Sequence, residues 1–232
     1  NDFRSEDVSK GGQGAPLVPI GDRHLFAEFP ICLNIGGIAN VSYEMNGRRV
    51  AYDICMANQL LNYLANKLGY DYDNNGQFAK QGKVDKELFD ILNDNAYYKQ
   101  DAPKSLGREF FENVQHKIID ESSLSINDLL ATATEHIAHQ IVKSTDNLEK
   151  SKMLVTGGGA KNNFLIERIC SLSKHEIVIP DVMITDFKEA LIFAFLGVLK
   201  MEGKINVLSS VTGASSDSSS GKTYQVELKI EN

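Results

Sequence analysis

Val155-Thr156-Gly157-Gly158-Gly159-Ala160-Lys161-Asn162-Asn163 decides how this chain is read. A short apolar run, Met153-Leu154-Val155, leads into it, and an apolar-periodic segment from Phe164 to Leu172 leaves it. The pattern is a strand that ends in three glycines and then opens a helix. Such a turn gathers backbone N–H groups at the positive end of a helix dipole. Gly157, Gly158 and Gly159 have no Cβ, so a flat or anionic ligand can reach the main chain. Nucleotides are ligands of that kind. The stretch is neither G-x-G-x-x-G nor G-x-x-x-x-G-K-[ST], and no acidic residue stands where a Rossmann unit would hold a ribose. The bland alternative is a tight left-handed connection. A second glycine turn, Asn34-Ile35-Gly36-Gly37-Ile38-Ala39-Asn40, lies upstream and favours the ligand-binding reading.

Working outward, residues 31–34 form a short apolar strand that stops at Gly36-Gly37. Residues 39–45 alternate, with Val41 and Tyr43 on one face, and 48–54 alternate again. Asn46-Gly47 between them is a strong signal for a two-residue hairpin. Residues 58–68 read as a helix with Leu60, Leu61 and Leu64 on one face and Gly69 beyond its end. Residues 70–107 are polar and mixed, with a loop at Asp71, Asp73, Asn74, Asn75 and Gly76 and a short helix at 84–92. A second loop, Ala102-Pro103-Lys104-Ser105-Leu106-Gly107-Arg108, precedes helical 110–119. Ser125-Ile126-Asn127-Asp128 starts a long helix over 129–147. Strand 152–156, helix 162–173, strand 176–179 and a last helix over 188–201 complete the pattern. Residues 1–16 read as a loop and the serine-rich run 215–220 as a mobile tail.

The order is therefore three strands, a helix, then strand-helix-strand-helix, with an insert after the first helix. An antiparallel start followed by βα crossovers predicts an α/β fold: a mixed five-stranded sheet with helices on both faces. That is the ribonuclease-H-like core. The actin, hexokinase and sugar-kinase superfamily uses two copies of it with ATP between them, and one copy is visible here. The expected organisation is a sugar-side loop and linker at 1–29, the ribonuclease-H-like lobe at 30–208 with its insert at about 70–124, and a C-terminal tail at 209–232.

The 232 residues, 42% of them hydrophobic, suffice for a full core. A net charge of −7 argues against nucleic acid, which needs a positive footprint. No apolar stretch approaches membrane-spanning length, and no signal-peptide pattern opens the chain. Cys32, Cys55 and Cys170 are odd in number and widely spaced, which fits reduced thiols of a cytoplasmic protein rather than disulfides or zinc. The chain opens at Asn1 rather than a methionine and reads as a piece of a longer protein.

Several stretches together are highly specific. Asp2-Phe3-Arg4, Gly11-Gly12-Gln13-Gly14-Ala15-Pro16-Leu17-Val18-Pro19, the Asn34–Asn40 turn, Ala102-Pro103-Lys104-Ser105-Leu106-Gly107-Arg108-Glu109, the 157–162 turn, Glu189-Ala190-Leu191-Ile192-Phe193-Ala194 and Val211-Thr212-Gly213-Ala214 occur in this order. In them the chain resembles the anhydro-N-acetylmuramic acid kinase family of bacterial cell-wall recycling. The resemblance implies a two-domain kinase. It opens the 1,6-anhydro ring of 1,6-anhydro-N-acetylmuramic acid with water and transfers the ATP γ-phosphate to O6. The product is N-acetylmuramic acid 6-phosphate, and Mg²⁺ is required. The family often dimerises, so a homodimer is possible on this basis.

Two departures stand out. The family's leading domain, with its Gly-x-Met-Ser-Gly-Thr-Ser-x-Asp-Gly-type phosphate loop, has no counterpart here, so the partner to expect is a missing N-terminal lobe. The family's Asp-Thr-Gly-Pro-Gly-Asn motif stands here as Asp53-Ile54-Cys55-Met56-Ala57-Asn58, without its glycines.

The resemblance assigns candidate roles. Asp53 is the general base that activates the attacking water, a task suited to a carboxylate; the alternative is a helix N-cap at the strand-to-helix turn. Gly157, Gly158 and Gly159 match the adenosine contact, and Asn34, Gly36, Gly37 and Asn40 the second, phosphate-proximal turn. Arg4, with Gln13, Gly14, Ala15 and Pro16, matches the sugar side, where an arginine fork suits a lactyl carboxylate. Lys104 and Arg108 are sugar-pocket or loop-ordering candidates. Glu189 either faces the cleft or merely begins the last helix. No metal ligand set is read: His136 and His139 are helix-face residues without partners, and the Asp71–Gly76 cluster lacks the closing glutamate of a calcium loop. Two rival readings remain, a non-catalytic sugar- or nucleotide-binding fragment and another kinase of the superfamily. The 11–19 run counts against the second rival.

Overall fold

The computed structural model describes residues 1–224. Along the chain run α1 (Ser5–Ser9), α2 (Pro19–Leu25), β1 (Ile31–Ile35), β2 (Ile38–Met45), β3 (Arg48–Met56) and α3 (Asn58–Asn66). The insert holds α4 (Lys86–Asn93), α5 (Arg108–Phe110) and α6 (His116–Asp120), the last two joined by a π-turn at Phe111–Gln115. Then come α7 (Ile126–Thr145), β4 (Lys152–Thr156), α8 (Asn163–Leu172), β5 (Glu176–Val178), α9 (Val182–Met201) and α10 (Ser209–Thr212). These pack as two compact units. One is Phe26–Lys188; the other joins Asn1–Leu25 to the described residues from Glu189 on.

The larger unit holds one sheet of order β3-β2-β1-β4-β5. β1, β2 and β3 are antiparallel neighbours, whereas β4 runs parallel to both β1 and β5. This is the expected ribonuclease-H-like sheet. Its hairpin turns on Asn46 and Gly47, both at positive φ (52° and 75°), as a type I′ turn requires. That two-residue turn pairs Met45 with Arg48 and so fixes Val41 opposite Tyr52 and Asn40 opposite Asp53. A bulge beyond Asn40 then brings Cys55 opposite Ala39.

The register sorts the sheet into two faces. Ile31, Leu33, Ile35, Ala39, Val41, Tyr43, Met153 and Val155 form one, and it carries the core. Leu60, Leu61 and Leu64 of α3, Leu88 and Leu92 of α4, Leu165 and Ile169 of α8 and a long stripe of α7 cover it. Each such side chain contributes about 1.5–3 kcal/mol by leaving water. α7 starts as its sequence says: Ser125 Oγ accepts from Asp128 N–H at 3.2 Å. The insert joins this core through Tyr97, Tyr98, Phe111 and Ile119. The opposite face carries Cys32, Asn34, Asn40, Ser42, Ala51, Asp53, Leu154 and Thr156.

In the smaller unit α1 lies within residues expected to be loop. Its Asp7 is fully buried, accepting from Gly14 N–H at 2.8 Å and from Thr212 Oγ1 at 2.7 Å. A Cβ on Gly12 would lie 2.2 Å from Asp7 Oδ2, so the glycine-rich loop closes directly on that carboxylate. The serine run is ordered rather than mobile. Asn206 Nδ2 donates to the Ser220 carbonyl, Asn206 Oδ1 accepts from Ser220 N–H, and Ser218 and Ser220 are buried. The end of the expected tail, residues 225–232, lies outside the described residues. α9 begins at Val182, six residues before the expected 188, because Asp181 Oδ1 caps it by accepting from Ile184 N–H at 3.0 Å.

Candidate active site

The C-terminal ends of β1 and β4 lie side by side, as parallel neighbours must. Between them the glycine turns meet. Gly157 has φ 85° and ψ 172°, a conformation essentially reserved to glycine. A Cβ there would lie 2.7 Å from both Asn34 Oδ1 and the Ile35 carbonyl. On Gly159 it would lie 2.2 Å from Ile35 Cγ2, whereas on Gly158 the nearest atom, Asn58 Nδ2, is 3.4 Å away. Only the middle glycine therefore presents an open surface. The turn leads into a short 3-10 segment, Gly158–Lys161, and not straight into the α-helix; Asn162 Oδ1 then caps α8 through Leu165 N–H.

The Gly36-Gly37 turn is stitched to α3. Gly37 O accepts from Ala57 N–H at 2.8 Å and Gly36 O from Asn58 N–H at 3.0 Å, while Asn58 Nδ2 donates to Ile35 O at 3.2 Å. These carbonyls occupy the first donors of α3. A cleft of about 440 Å³ opens beside the turns, lined by Asn58, Leu61 and Asn62 of α3, residues 72–75, Gly158, Lys161 and Asn162. That volume suits a small organic ligand. Gly158 is the residue of this lining that the sequence marks; Lys161 stands in the same turn without being singled out, whereas Asn62 and Tyr72 are brought to it only by the fold. The loop that resembled a calcium site forms one wall, but its Asp73 carboxylate accepts from Phe78 and Ala79 N–H, each at 2.9 Å. Among the described residues no cluster of three or more His, Cys, Asp or Glu gathers to hold a metal.

A polar row crosses the face of the sheet opposite the core. Asp53 of β3 pairs with Asn40 of β2, Asn40 with Asn34 of β1, and Asn34 with Thr156 of β4. Directly paired residues share a face, and neighbouring strands lie about 4.8 Å apart, so Asp53 stands roughly 10 Å from Asn34. Asp53 does not cap α3. It lies within β3, which runs on to Met56, and the N-cap position is Ala57 with no side-chain bond. Asp53 Oδ2 instead accepts from Leu106 N–H at 2.9 Å. Burial pushes its carboxyl up from the ordinary carboxylate value, and the Leu106 N–H pulls the other way.

The remaining candidates lie as follows. Lys104 Nζ donates to the Tyr97 carbonyl at 3.2 Å and is half-buried. Arg108 is exposed and pairs with Glu112 at 2.8 Å. Glu189 is exposed and sits in the third turn of α9, so it is not a first-turn acid. Arg4 is exposed and donates to Gly14 O at 2.6 Å; Gln13 and Pro16 are exposed, Ala15 is half-buried and Gly14 is buried. His136 is buried rather than merely on a helix face. Its Nδ1 lies 2.9 Å from Asn93 Oδ1, and burial holds its pKa near about 3, so it stays neutral. Cys32 and Cys55 are buried free thiols, whereas Cys170 is exposed.

The family model described as anhydro-N-acetylmuramic acid kinase matches residues 1–226. The proteins of that name from Actinobacillus pleuropneumoniae serotype 7 and Pasteurella multocida are each 36% identical, over 96% and 99% of this chain. That from Vibrio cholerae is 37% identical over 96%. The chain spans 64% of the length of each of these relatives. Among solved structures, the activator of the 2-hydroxyisocaproyl-CoA dehydratase from Clostridium difficile has a TM-score of 0.45 at 17% identity, over 75% of this chain and 61% of its own. By the family match and these identities, the chain belongs to the anhydro-N-acetylmuramic acid kinase family.

Proposed function

We propose that this chain is the base- and nucleotide-bearing part of an ATP-dependent kinase. The reaction converts 1,6-anhydro-N-acetylmuramic acid, ATP and water to N-acetylmuramic acid 6-phosphate and ADP, in cell-wall recycling. The observation that supports it best is the polar row that places the Asp53 carboxylate two strands from the glycine turns and their cleft. Asp53 takes a proton from the water whose oxygen attacks the anomeric carbon. The C1–O6 bond breaks, and O6 accepts the γ-phosphoryl group. A carboxyl raised by burial is a stronger base, which suits proton abstraction near neutral pH.

The cleft fits a nucleoside. Leu61 and Tyr72 offer apolar surface, the amides of Asn58, Asn62, Asn74, Asn75 and Asn162 offer hydrogen bonds, and Gly158 leaves room. Asn34, Gly36, Gly37 and Asn40 are assigned to the phosphate side of that cleft. When bound, Mg²⁺–ATP supplies the phosphoryl group and neutralises its charge. The described residues build no cage for the ion, so it is taken to arrive on the nucleotide phosphates. Arg4 and residues 13–16 are assigned to the sugar, with Glu189 and Arg108 kept as weaker contacts.

The test is Asp53→Asn in the complete gene product. Loss of the base lowers kcat by about 10²–10⁴-fold. ADP affinity, measured by calorimetry, stays within about twofold, because a base acts in the transition state. Wild-type kcat would remove Asp53 from the mechanism, and absence of ADP binding would remove the nucleotide reading.

A further inference from the structure

The loop after the insert's tyrosines runs alongside β3 at Asp53. Asp53 N–H donates to Lys104 O at 3.2 Å, and Leu106 N–H donates to Asp53 Oδ2 at 2.9 Å. Tyr97 Oη donates to Asp53 O at 2.5 Å. Residues 104–106 thus form a strap with one bond to the main chain of Asp53 and one to its carboxylate. Something must hold the strap, because it belongs to no regular strand or helix. At one end Leu106 is half-buried against the core. At the other the Lys104 ammonium sits 4.8 Å from the ring centre of Tyr97 and 5.4 Å from that of Tyr52, with the Tyr97 carbonyl as its acceptor. Tyr52 is itself fixed, donating from Oη to Ser144 O at 3.0 Å. A cation between two rings gains from both faces, and more so where water is partly excluded.

We propose that Lys104 is a positioning residue: held between Tyr52 and Tyr97, it keeps the strap on β3 so that Leu106 N–H engages one oxygen of Asp53 and leaves the other free to act. The proposal rests on the reading of Asp53 as the base. It departs from the sugar-contact role, because the ammonium is already held by two rings and a carbonyl.

The groups that face Asp53 or Lys104 are few. Tyr97, Tyr52 and Cys55 are neutral, each with its pKa raised by burial. Asp101 and Lys143 act on Lys104 from opposite sides of the charge balance. Loss of the Leu106 N–H bond raises the Asp53 pKa, but so does any deeper burial of its carboxyl. A carboxyl titration by itself is therefore insufficient, and the Leu106 amide must be followed with it.

The experiment is NMR on this chain, tracking the Asp53 carboxyl carbon and the Leu106 amide across pH in wild type, Lys104→Met and Lys104→Arg. In wild type both signals report one midpoint. In Lys104→Met the Leu106 amide loses most of its pH response, because its hydrogen bond to the carboxylate is no longer formed, and the Asp53 midpoint moves up. Lys104→Arg, which keeps a cation between the rings, restores both. A Leu106 amide that still titrates fully with Asp53 in Lys104→Met overturns the proposal. If that variant fails to fold in a thermal melt, Lys104→Gln is read by the same criteria. In the complete gene product Lys104→Met lowers kcat about tenfold, the rate equivalent of one such hydrogen bond, with both KM values within about twofold. A raised sugar KM at unchanged kcat would make Lys104 a substrate contact instead. The NMR result does not depend on turnover, so failure of the base assignment shows in Asp53→Asn and failure of the strap in the Leu106 amide.

Discussion

Adding one methyl group at each of the three consecutive glycines should give three different proteins. Gly159→Ala drives its Cβ to 2.2 Å from Ile35 Cγ2 and 2.7 Å from Ile35 Cβ, at the fully buried C-terminal end of β1. A β-branched side chain within a strand has few rotamers to escape into, and overpacking of this kind costs about 1–3 kcal/mol. Gly157→Ala meets two obstacles. Its φ of 85° is strained for any L-residue, at about 1–3 kcal/mol. Its Cβ would also fall 2.7 Å from a backbone oxygen that is fixed in the sheet. Gly158→Ala meets neither. It has no positive φ, and its nearest neighbour is the end of the Asn58 amide at 3.4 Å. Its folding change is a few tenths of a kcal/mol, of either sign. The new methyl does, however, stand in the wall of the 440 Å³ cleft.

The assays are a thermal melt and calorimetric titration with ADP. At about 2–4 °C per kcal/mol for a chain of this size, the overpacking in Gly159→Ala should lower the melt by about 2–12 °C, and Gly157→Ala, with strain and a backbone clash together, by more. Gly158→Ala should melt within about 2 °C of wild type and bind ADP about tenfold or more weakly, the equivalent of one displaced contact of about 1.4 kcal/mol. A Gly158→Ala variant with wild-type ADP affinity would refute the placement of the nucleotide against this turn. A Gly159→Ala variant with an unchanged melt would refute the close approach to Ile35.

Further outcomes concern the carboxylates of Asp53, half-buried, and Asp7, fully buried. Because burial raises the folded-state pKa of Asp53, its contribution is fully present below the unfolded value near 3.8 and is lost as pH rises through the folded value. Asp53→Asn should therefore melt higher than wild type at pH 7, and the gap should close toward pH 3; a gap of the opposite sign would mean the carboxylate is stabilised where it stands. Asp7→Ala leaves the Gly14 N–H buried without its acceptor and the Thr212 hydroxyl with only the Leu208 carbonyl at 3.4 Å. At about 1–3 kcal/mol per orphaned group, the chain should melt several degrees lower, and proteolysis should cut first within residues 11–16. Intact protection of that loop in Asp7→Ala would show that it is held by other contacts.

Local pattern carried much of the fold. Asn46-Gly47 fixed not only the hairpin but its register, and a two-residue turn leaves Asn40 no partner other than Asp53. The three glycines in the turn after β4 marked the edge of the cleft, and of the α3 leucines Leu61 lines it. What stayed hidden is what depends on distant pairing. The bulge beyond Asn40 and the burial of Asp7 against Thr212 have no signature in a window of ten residues, whereas the start of α9 does have one, the Asp181 cap three residues before Ile184. The reading of Asp53 shows the difference most clearly. In sequence it stands close before a helix and looks as much like a cap as a base. The structure removes the cap: β3 continues past Asp53 for three residues, and Ala57 takes the capping position. The acceptor oxygen then serves a backbone N–H 53 residues away. A carboxylate held through one oxygen by a distant strap, on the polar face of a sheet, is set apart from a cap by its long-range partner. That partner is the part no local reading supplies.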